Sequence, residues 1–377
     1  MTAVSLSRFR RFALTLVGRT LVAVDSVRRR LSWRRDPGRE AVAASAAGPN
    51  GVLVAVSHWR DEDEAPDATV PTPDHAGTDR SRMMTECVAS VLELGADRVV
   101  VAVFTNEPSQ TARALTSRFG HAPDLVSVEI LRGIASLEAT DTGGRQIFVI
   151  GWKPRVVFRH GFNLTWAHKR LFRRALDDHR FSHFVYLEDD IRFTRESFSY
   201  WCRFREPLAA YGLLPGYVRY ESTDAGRFLA DQSGRQRLDG PSVRVHAPRA
   251  DGATASDALV VAFDNAYQGM YVLDRPLARK HFRYSPNRTL LRSLSVRHWA
   301  PSESVGHWGW RERAAAGPIF DDVPSGFTAR NVVPVRNDET GGSVIDPACL
   351  IEHLSGTITA SADSPFGRVS VDDPFRP

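Results

Sequence analysis

Three consecutive carboxylates, Glu188, Asp189 and Asp190, follow directly on the apolar run His183 to Leu187 (HFVYL). A run of that length and composition reads as a buried strand. The acids therefore stand at a strand's carboxyl end, where open α/β sheets bind their ligands. Three adjacent negative charges at such a place need a cation or solvent to neutralise them. Hard oxygen donors on a rigid strand end suit Mg2+ or Mn2+, which take one or two protein carboxylates and complete their shell with a substrate's phosphate oxygens. A cation there acts as a Lewis acid and a template for a leaving diphosphate. The competing explanation is a solvated acidic turn capping the next helix, whose first turn favours negative charge. The buried strand before the acids and the aromatic-rich helix after them, Glu196 to Phe204, favour the chemical reading.

The elements that must position this cluster can be read upstream of it. Gly51 to Ser57 (GVLVAVS) and Arg98 to Phe104 (RVVVAVF) have the length and composition of buried strands, with an acidic, Pro-rich loop at 61–78 and a helix from Arg82 to Leu94 between them. Thr111 to Phe119 reads as a helix, Val126 to Leu131 and Gln146 to Ile150 as strands, and Leu164 to Leu176 as a strong helix. This succession predicts an α/β fold with a parallel sheet and crossover helices. After Phe204 the pattern loosens: residues 221–257 read as a long insertion or a two-stranded excursion. Ala258 to Phe263 and Gly269 to Leu273 read as strands around a turn, Pro276 to His281 and Trp308 to Ala316 as short helices, and the tail from Gly341 as mostly coil.

The composition, 42% hydrophobic and 25% charged over 377 residues, is that of a soluble globular protein with a sizeable core. Residues 1–40 hold ten arginines against Asp25, Asp36 and Glu40, more positive charge than the chain's whole net +5. The rest of the chain is thus slightly acidic, which argues against a nucleic-acid-binding body. In the arm, Leu6, Phe9, Phe12, Leu16, Val24, Val27 and Leu31 fall on one helical stripe beside arginines. Such a helix suits an anionic membrane surface, and it equally suits packing on the body. Arg10-Arg11 ahead of apolar residues also fits a secretory leader, although the charges from Arg28 to Arg39 fit it poorly. No stretch has the roughly 18–20 apolar residues of a membrane span. Cys87, Cys202 and Cys349 fit neither a disulfide framework nor a CxxC metal site, so the expected setting is cytoplasmic, with the arm as a peripheral contact on the inner face of the membrane. The organisation expected is an arm and linker at 1–48 and a body at 49–377.

The stretch from His160 to Lys169 (HGFNLTWAHK), followed by Phe184 to Ile191 (FVYLEDDI), resembles GT-A glycosyltransferases in which an H-x-x-x-L-T-W-x-H-(K/R) helix precedes a YLEDD strand end. The resemblance implies a GT-A fold with an irregular C-terminal acceptor-side lobe, a nucleotide-sugar-binding half at 49–204 and an acceptor half at 205–377. It implies a Mn2+ or Mg2+ ion at Asp189 and Asp190 with Glu188 nearby, and His353 as a further metal ligand. It places the donor's base and ribose near Ser57, His58, Trp59 and Arg60, and the acceptor near Tyr267, Gln268 and Gly269. A catalytic carboxylate is implied at a later helix start, where Glu303 and Glu312 both qualify. Such a group deprotonates the acceptor hydroxyl in an inverting enzyme. The spelling EDD instead of DxD leaves open which two carboxylates touch the metal. The activity implied is transfer of a sugar from a nucleoside-diphosphate sugar to a hydroxyl of a glycan or glycolipid.

Trp299, Trp308 and Trp310 suit stacking on sugar rings and suit packing of an irregular lobe equally. His168, on an apolar helix, reads as a packing histidine. Asp321-Asp322, bracketed by Pro318 and Pro324, reads as a solvated turn, and Arg330 and Arg336 could reach a diphosphate. A sugar nucleotidyltransferase wants a Gly-rich basic loop after the first strand, where this chain has Ser57 to Glu62 (SHWRDE). A two-metal phosphoesterase wants acids at several strand ends. A non-catalytic carbohydrate-binding protein of the same fold is the rival from another class.

Overall fold

The two valine-rich runs form the centre of a six-stranded sheet in the computed structural model, which describes residues 51–59, 80–120, 126–131, 144–152, 161–248, 256–285, 310–337 and 342–376. Strand β1 (Val52–His58) leads through helix α1 (Arg80–Leu92) to β2 (Val99–Thr105), and every residue of both strands is buried. Near-continuous apolar strands are what a parallel sheet covered on both faces requires. Helix α2 (Pro108–Phe119), β3 (Val126–Leu131) and β4 (Arg145–Gly151) follow. A 3-10 turn (Gly161–Trp166) then opens helix α3 (Ala167–Ala175), and β5 (His183–Glu188) carries the first acid as its last residue. The expected helix from Leu164 is therefore α-helical only from Ala167, with no side-chain cap at Trp166.

Beyond β5 come the short β6 (Ile191–Arg192) and α4 (Arg195–Ala209), whose first turn is capped by Thr194 accepting from the Ser197 amide at 3.3 Å. The remaining strands are β7 (Leu214–Pro215), β8 (Val218–Thr223), β9 (Gly226–Leu229), β10 (Gln236–Arg237), β11 (Ser242–Ala247), β12 (Ser256–Val261) and β13 (Met270–Asp274). Helices α5 (Arg275–Tyr284) and α6 (Trp310–Ala315) follow. After them come β14 (Asn331–Asn337), β15 (Ser343–Ile345), β16 (Leu350–His353), α7 (Thr357–Ala360) and β17 (Phe375–Arg376).

The main sheet runs β13-β5-β1-β2-β4-β3; its neighbours pair in parallel except β13, which is antiparallel to β5. The fold is thus mixed α/β with a mostly parallel sheet flanked by helices. Because β13 joins this sheet, the chain after residue 204 returns to the nucleus built before it. Two differences from expectation matter for the site. The excursion after Phe204 is several strands, and the tail read as mostly coil contains β16. In a four-stranded sheet of order β6-β16-β8-β9, β16 lies parallel to β8 and antiparallel to β6. Its pattern was weak because it is short and pairs with partners more than 120 residues away.

No helix among the described residues is long and apolar enough to cross a membrane. The arm, residues 1–48, lies outside them. All three cysteines are free, and Cys87 is buried with its thiol facing the Glu188 carbonyl at 3.7 Å.

Behind the sheet lies a second group of buried charges. His168 is fully buried, stacks on Tyr186 with ring centres 3.9 Å apart and bonds the Tyr271 hydroxyl at 2.6 Å, a packing role. Next to it the Lys169 amine lies 3.4 Å from His281 Nε2 and 4.7 Å from the centre of the Tyr271 ring. His281 Nδ1 in turn meets Asp321 at 2.8 Å, and the Ser285 hydroxyl donates to the same carboxylate at 2.8 Å. Asp321 is therefore no solvated turn: α5 supplies the partners that keep it ionised inside the protein. Asp322 does stay at the surface, paired with Lys280. Arg330 is 2% exposed and donates to the Gly212 carbonyl at 2.6 Å, so it is a structural residue away from the acids. Arg336 is exposed on β14, in the separate β11-β12-β14-β15 sheet.

Burial lowers the pKa of Lys169 to about 7, with Asp321 opposing the shift. A lysine whose folded value lies below its unfolded one destabilises the fold in full below pH 7, and the penalty fades as pH rises toward 10.5. Lys169→Met, with an apolar stem of similar length, lacks that penalty, so its stability relative to the parent should be higher at pH 6 than at pH 9.5 by roughly 3 kcal/mol at most. Urea unfolding at the two pH values checks this, and an unchanged difference would overturn it.

Candidate active site at the end of strand β5

Each acid of the triplet meets a different partner. Glu188 is 3% exposed; its Oε1 accepts from the Tyr267 hydroxyl at 2.9 Å, and its Oε2 faces Arg219 Nη1 at 3.8 Å. Asp189 is also buried and meets His58 Nδ1 at 2.6 Å, at the end of the neighbouring β1. Asp190 turns the other way: its carboxylate lies 3.2 Å from His353 Nε2, and its carbonyl accepts from the Leu354 amide at 2.7 Å. Among the described residues no three His, Cys, Asp or Glu side chains converge as a ready metal-holding group. The expected set of Glu188, Asp189, Asp190 and His353 is thus divided, and only Asp190 and His353 face one another.

The second sheet accounts for this division. In β8, Arg219 and Glu221 are two apart and share a face. Parallel pairing sets Ile351 beside Arg219, which brings His353 level with Glu221. Arg219 is held by Asp231 through two bonds of 2.6 Å, lies over the Tyr267 ring at 4.8 Å and keeps Nη1 toward Glu188. Planar bidentate pairing fixes a guanidinium while leaving its remaining donors directed elsewhere. Glu221 is fully buried and meets His353 Nδ1 at 2.7 Å. Burial alone would lower the His353 pKa; Asp190 and Glu221 outweigh it and lift the value to about 9. Burial likewise pushes Glu221 up, and its bonds from His353 and Thr359 more than reverse that, holding it below the usual carboxylate range.

Gly269 makes the close approach possible. It has φ of +63°, and a Cβ there would stand 2.9 Å from Glu188 Oε2 and 3.1 Å from Arg219 Nη1. Its carbonyl also accepts from the Glu188 amide at 3.0 Å.

A pocket of about 270 Å³ opens over the cluster, lined by all three acids, Arg219, Tyr267, His353 and, from α6, Glu312. Of the two helix-start carboxylates suggested by the sequence, Glu312 therefore lines the same pocket as the acids; Glu303 lies outside the described residues. So do Arg60, Trp299 and Trp308, and of Trp310 only the backbone, at the start of α6, is described. Ser57 and His58 are buried and are not among the residues lining this pocket; His58 Nδ1 is engaged with Asp189. Trp59 is half-buried against Trp152, edge to face at 6.1 Å. Gln268 points inward, accepting from the Tyr217 amide at 2.7 Å, whereas Tyr267 faces the pocket as expected.

Arg219, Glu221 and Asp231 were not singled out in the sequence. The signal available was the alternation of Arg219 and Glu221 in a short strand, inside a stretch whose other residues look like surface. Arg80 was also missed; it lines the pocket and donates to the Trp59 carbonyl at 3.1 Å.

No protein-family model matches this chain, and no curated protein is significantly similar to it.

Two consequences can be measured. A histidine whose pKa is raised by folding stabilises the protein fully below about pH 6.5, and that contribution is lost as pH rises through about 9. The stability advantage of the parent over His353→Gln should therefore fall by roughly 3 kcal/mol at most between pH 6.5 and 9.5; urea unfolding that shows a constant difference would contradict it. Gly269→Ala should destabilise by about 2 kcal/mol, through backbone strain and the forced retreat of Glu188. Thermal unfolding tests this, and a melting temperature equal to the parent's would rule out the close approach.

Proposed function

We propose that the chain is a metal-dependent glycosyltransferase of the GT-A type, moving a sugar from a nucleoside-diphosphate sugar to a hydroxyl acceptor. The observation that carries the reading is that one pocket, at the carboxyl end of a strand in a mostly parallel sheet, gathers Asp189, Asp190, His353, Arg219 and Glu312. Open α/β sheets bind ligands at such ends, and the HGFNLTWAHK and YLEDD segments resemble that family.

Two donors favour a divalent cation, whose remaining positions a substrate's phosphate oxygens would fill. Asp190 offers a carboxylate oxygen and His353 an imidazole nitrogen side by side, and Glu221 takes the histidine's other nitrogen, the arrangement usual behind metal-bound histidines. Asp190 and His353 would hold the ion, with Asp189 behind them on His58. A Mn2+ or Mg2+ bound there supplies positive charge to the leaving diphosphate. Arg219 presents a permanently charged donor to the same pocket, where phosphate oxygens can accept from it. Glu312 faces the acids from α6 and takes the proton of the acceptor hydroxyl if the anomeric centre is inverted. Tyr267, which lines the pocket, would form the wall on the acceptor side. A peripheral membrane contact through residues 1–40 would bring the pocket to a glycolipid acceptor.

A second reading has its own observation. Since His58, Arg219 with Tyr267, and His353 each answer one acid, the cluster is balanced without a metal, as a non-catalytic carbohydrate-binding protein of the same fold would need.

Calorimetric titration with UDP, GDP, ADP and CMP, in Mn2+ and in EDTA, separates the two. The transferase reading expects one nucleotide to bind only with metal, Asp190→Ala to abolish that binding, and Glu312→Gln to keep it while lowering sugar transfer by about 10²-fold or more. A folded protein that binds no nucleotide under any condition, yet binds glycans, would establish the second reading.

A further inference from the structure

Glu221 touches neither donor nor acceptor in the reading above, yet it is fully buried and its two oxygens accept four bonds. Oε1 takes His353 Nδ1 at 2.7 Å and the Ile358 amide at 3.2 Å; Oε2 takes the Thr359 amide and hydroxyl, both at 2.7 Å. Ile358, one of the two residues that bond it from the chain after β16, also lines the pocket, as do Ser355 and Thr357 just before it. A buried carboxylate is costly unless it is fully hydrogen-bonded, so one side chain ties together the histidine and the strap that follows it.

We infer that Glu221 is a positioning residue for a divalent cation: it holds His353 with Nδ1 turned inward and Nε2 toward Asp190, and it fastens the Ser355–Ala360 strap beside the ion. The inference rests on the reading that Asp190 and His353 hold a cation. Its basis is geometric. An imidazole can present only one nitrogen to the pocket, and the group bonded to the other selects which. Here the inner bond goes to a carboxylate, which strengthens the outer nitrogen as a ligand. The strap's amides bond the same carboxylate, so a displaced Glu221 releases both the ligand and the wall.

The test uses the full-length protein and Mn2+ alone. Affinity is measured by electron paramagnetic resonance for the parent, Glu221→Gln, His353→Gln and the double variant, and nitrogen coupling to bound Mn2+ is read by electron spin echo. Loss of such an outer partner typically weakens metal binding by about 10–100-fold, and that is the loss expected for Glu221→Gln, with the nitrogen coupling reduced. Because Glu221 acts through His353, the double variant should bind no more weakly than His353→Gln. A purely structural role would add to the loss and would leave the nitrogen signal of the remaining bound metal intact. Should Glu221→Gln fail to fold, ¹⁵N-histidine NMR of the parent with Zn2+ decides: Nδ1 protonated and Nε2 metal-bound supports the inference, and the reverse overturns it. Parent-like affinity and coupling in a folded Glu221→Gln would overturn the positioning role while leaving the metal site standing. Absence of Mn2+ binding by the parent would remove the metal reading and this inference with it.

Discussion

Three carboxylates in a row at the end of a buried strand must each find a counterpart, and the layout of the second half of the chain follows from that need. Ionised groups out of water are tolerated only when paired and hydrogen-bonded, with charged hydrogen bonds worth about 1.5–3 kcal/mol each. The strand ends at Glu188 and the next two acids lie in a turn, so the three side chains meet different partners and no single basic group of the protein serves them all. Asp189 is met from β1, within the sheet itself. Glu188 needs the turn before β13 and the guanidinium of β8, and Asp190 needs β16. The four-stranded sheet is therefore more than a cover for the site. It delivers Arg219 and His353 on one face, and those two are the site's basic groups on the side away from His58.

The legible parts of this protein are those whose signal is local. Strands β1, β2 and β5 announce themselves because burial on both faces makes each of them mainly apolar, and the acids stand out because they interrupt such a run. Helix α1 likewise follows from its apolar spacing, to within two residues at either end. What failed to show were pairings made over long separations. Arg219 and Glu221 lie in a strand with one face toward the site and exposed neighbours, which in isolation resembles a surface loop. Asp321 looked solvated because two prolines flank its turn, whereas its partners His281 and Ser285 come from a helix about 40 residues earlier. His353 was reached by family resemblance alone, since four residues of strand in a loosely patterned tail carry no periodicity strong enough to read. Gln268 illustrates the opposite error: a polar residue in a turn seemed available to a ligand, but a backbone amide of the neighbouring segment had already claimed it.

The pocket also shows how the two halves of the chain depend on each other. Glu312 lines the pocket from α6, which packs on the 3-10 turn ahead of α3, and the loop after α6 is pinned by the Asp321 cluster. Gly317 passes so close to Tyr271 that a Cβ would stand 2.5 Å from its ring. The Asp321 cluster and the Gly317–Tyr271 approach thus bear on where the Glu312 carboxylate stands.

The contact between Asp190 and His353 spans 163 residues of sequence. A ribosome adds about 5–20 residues per second, so on the order of ten seconds separates the synthesis of these two residues. Through that interval the parallel sheet can assemble around β1, β2 and β5, while Asp190 waits in water for a strand not yet made. The order of synthesis thereby keeps the nascent chain from presenting a finished pocket: sheet first, acids second, and the histidine that completes the site near the last.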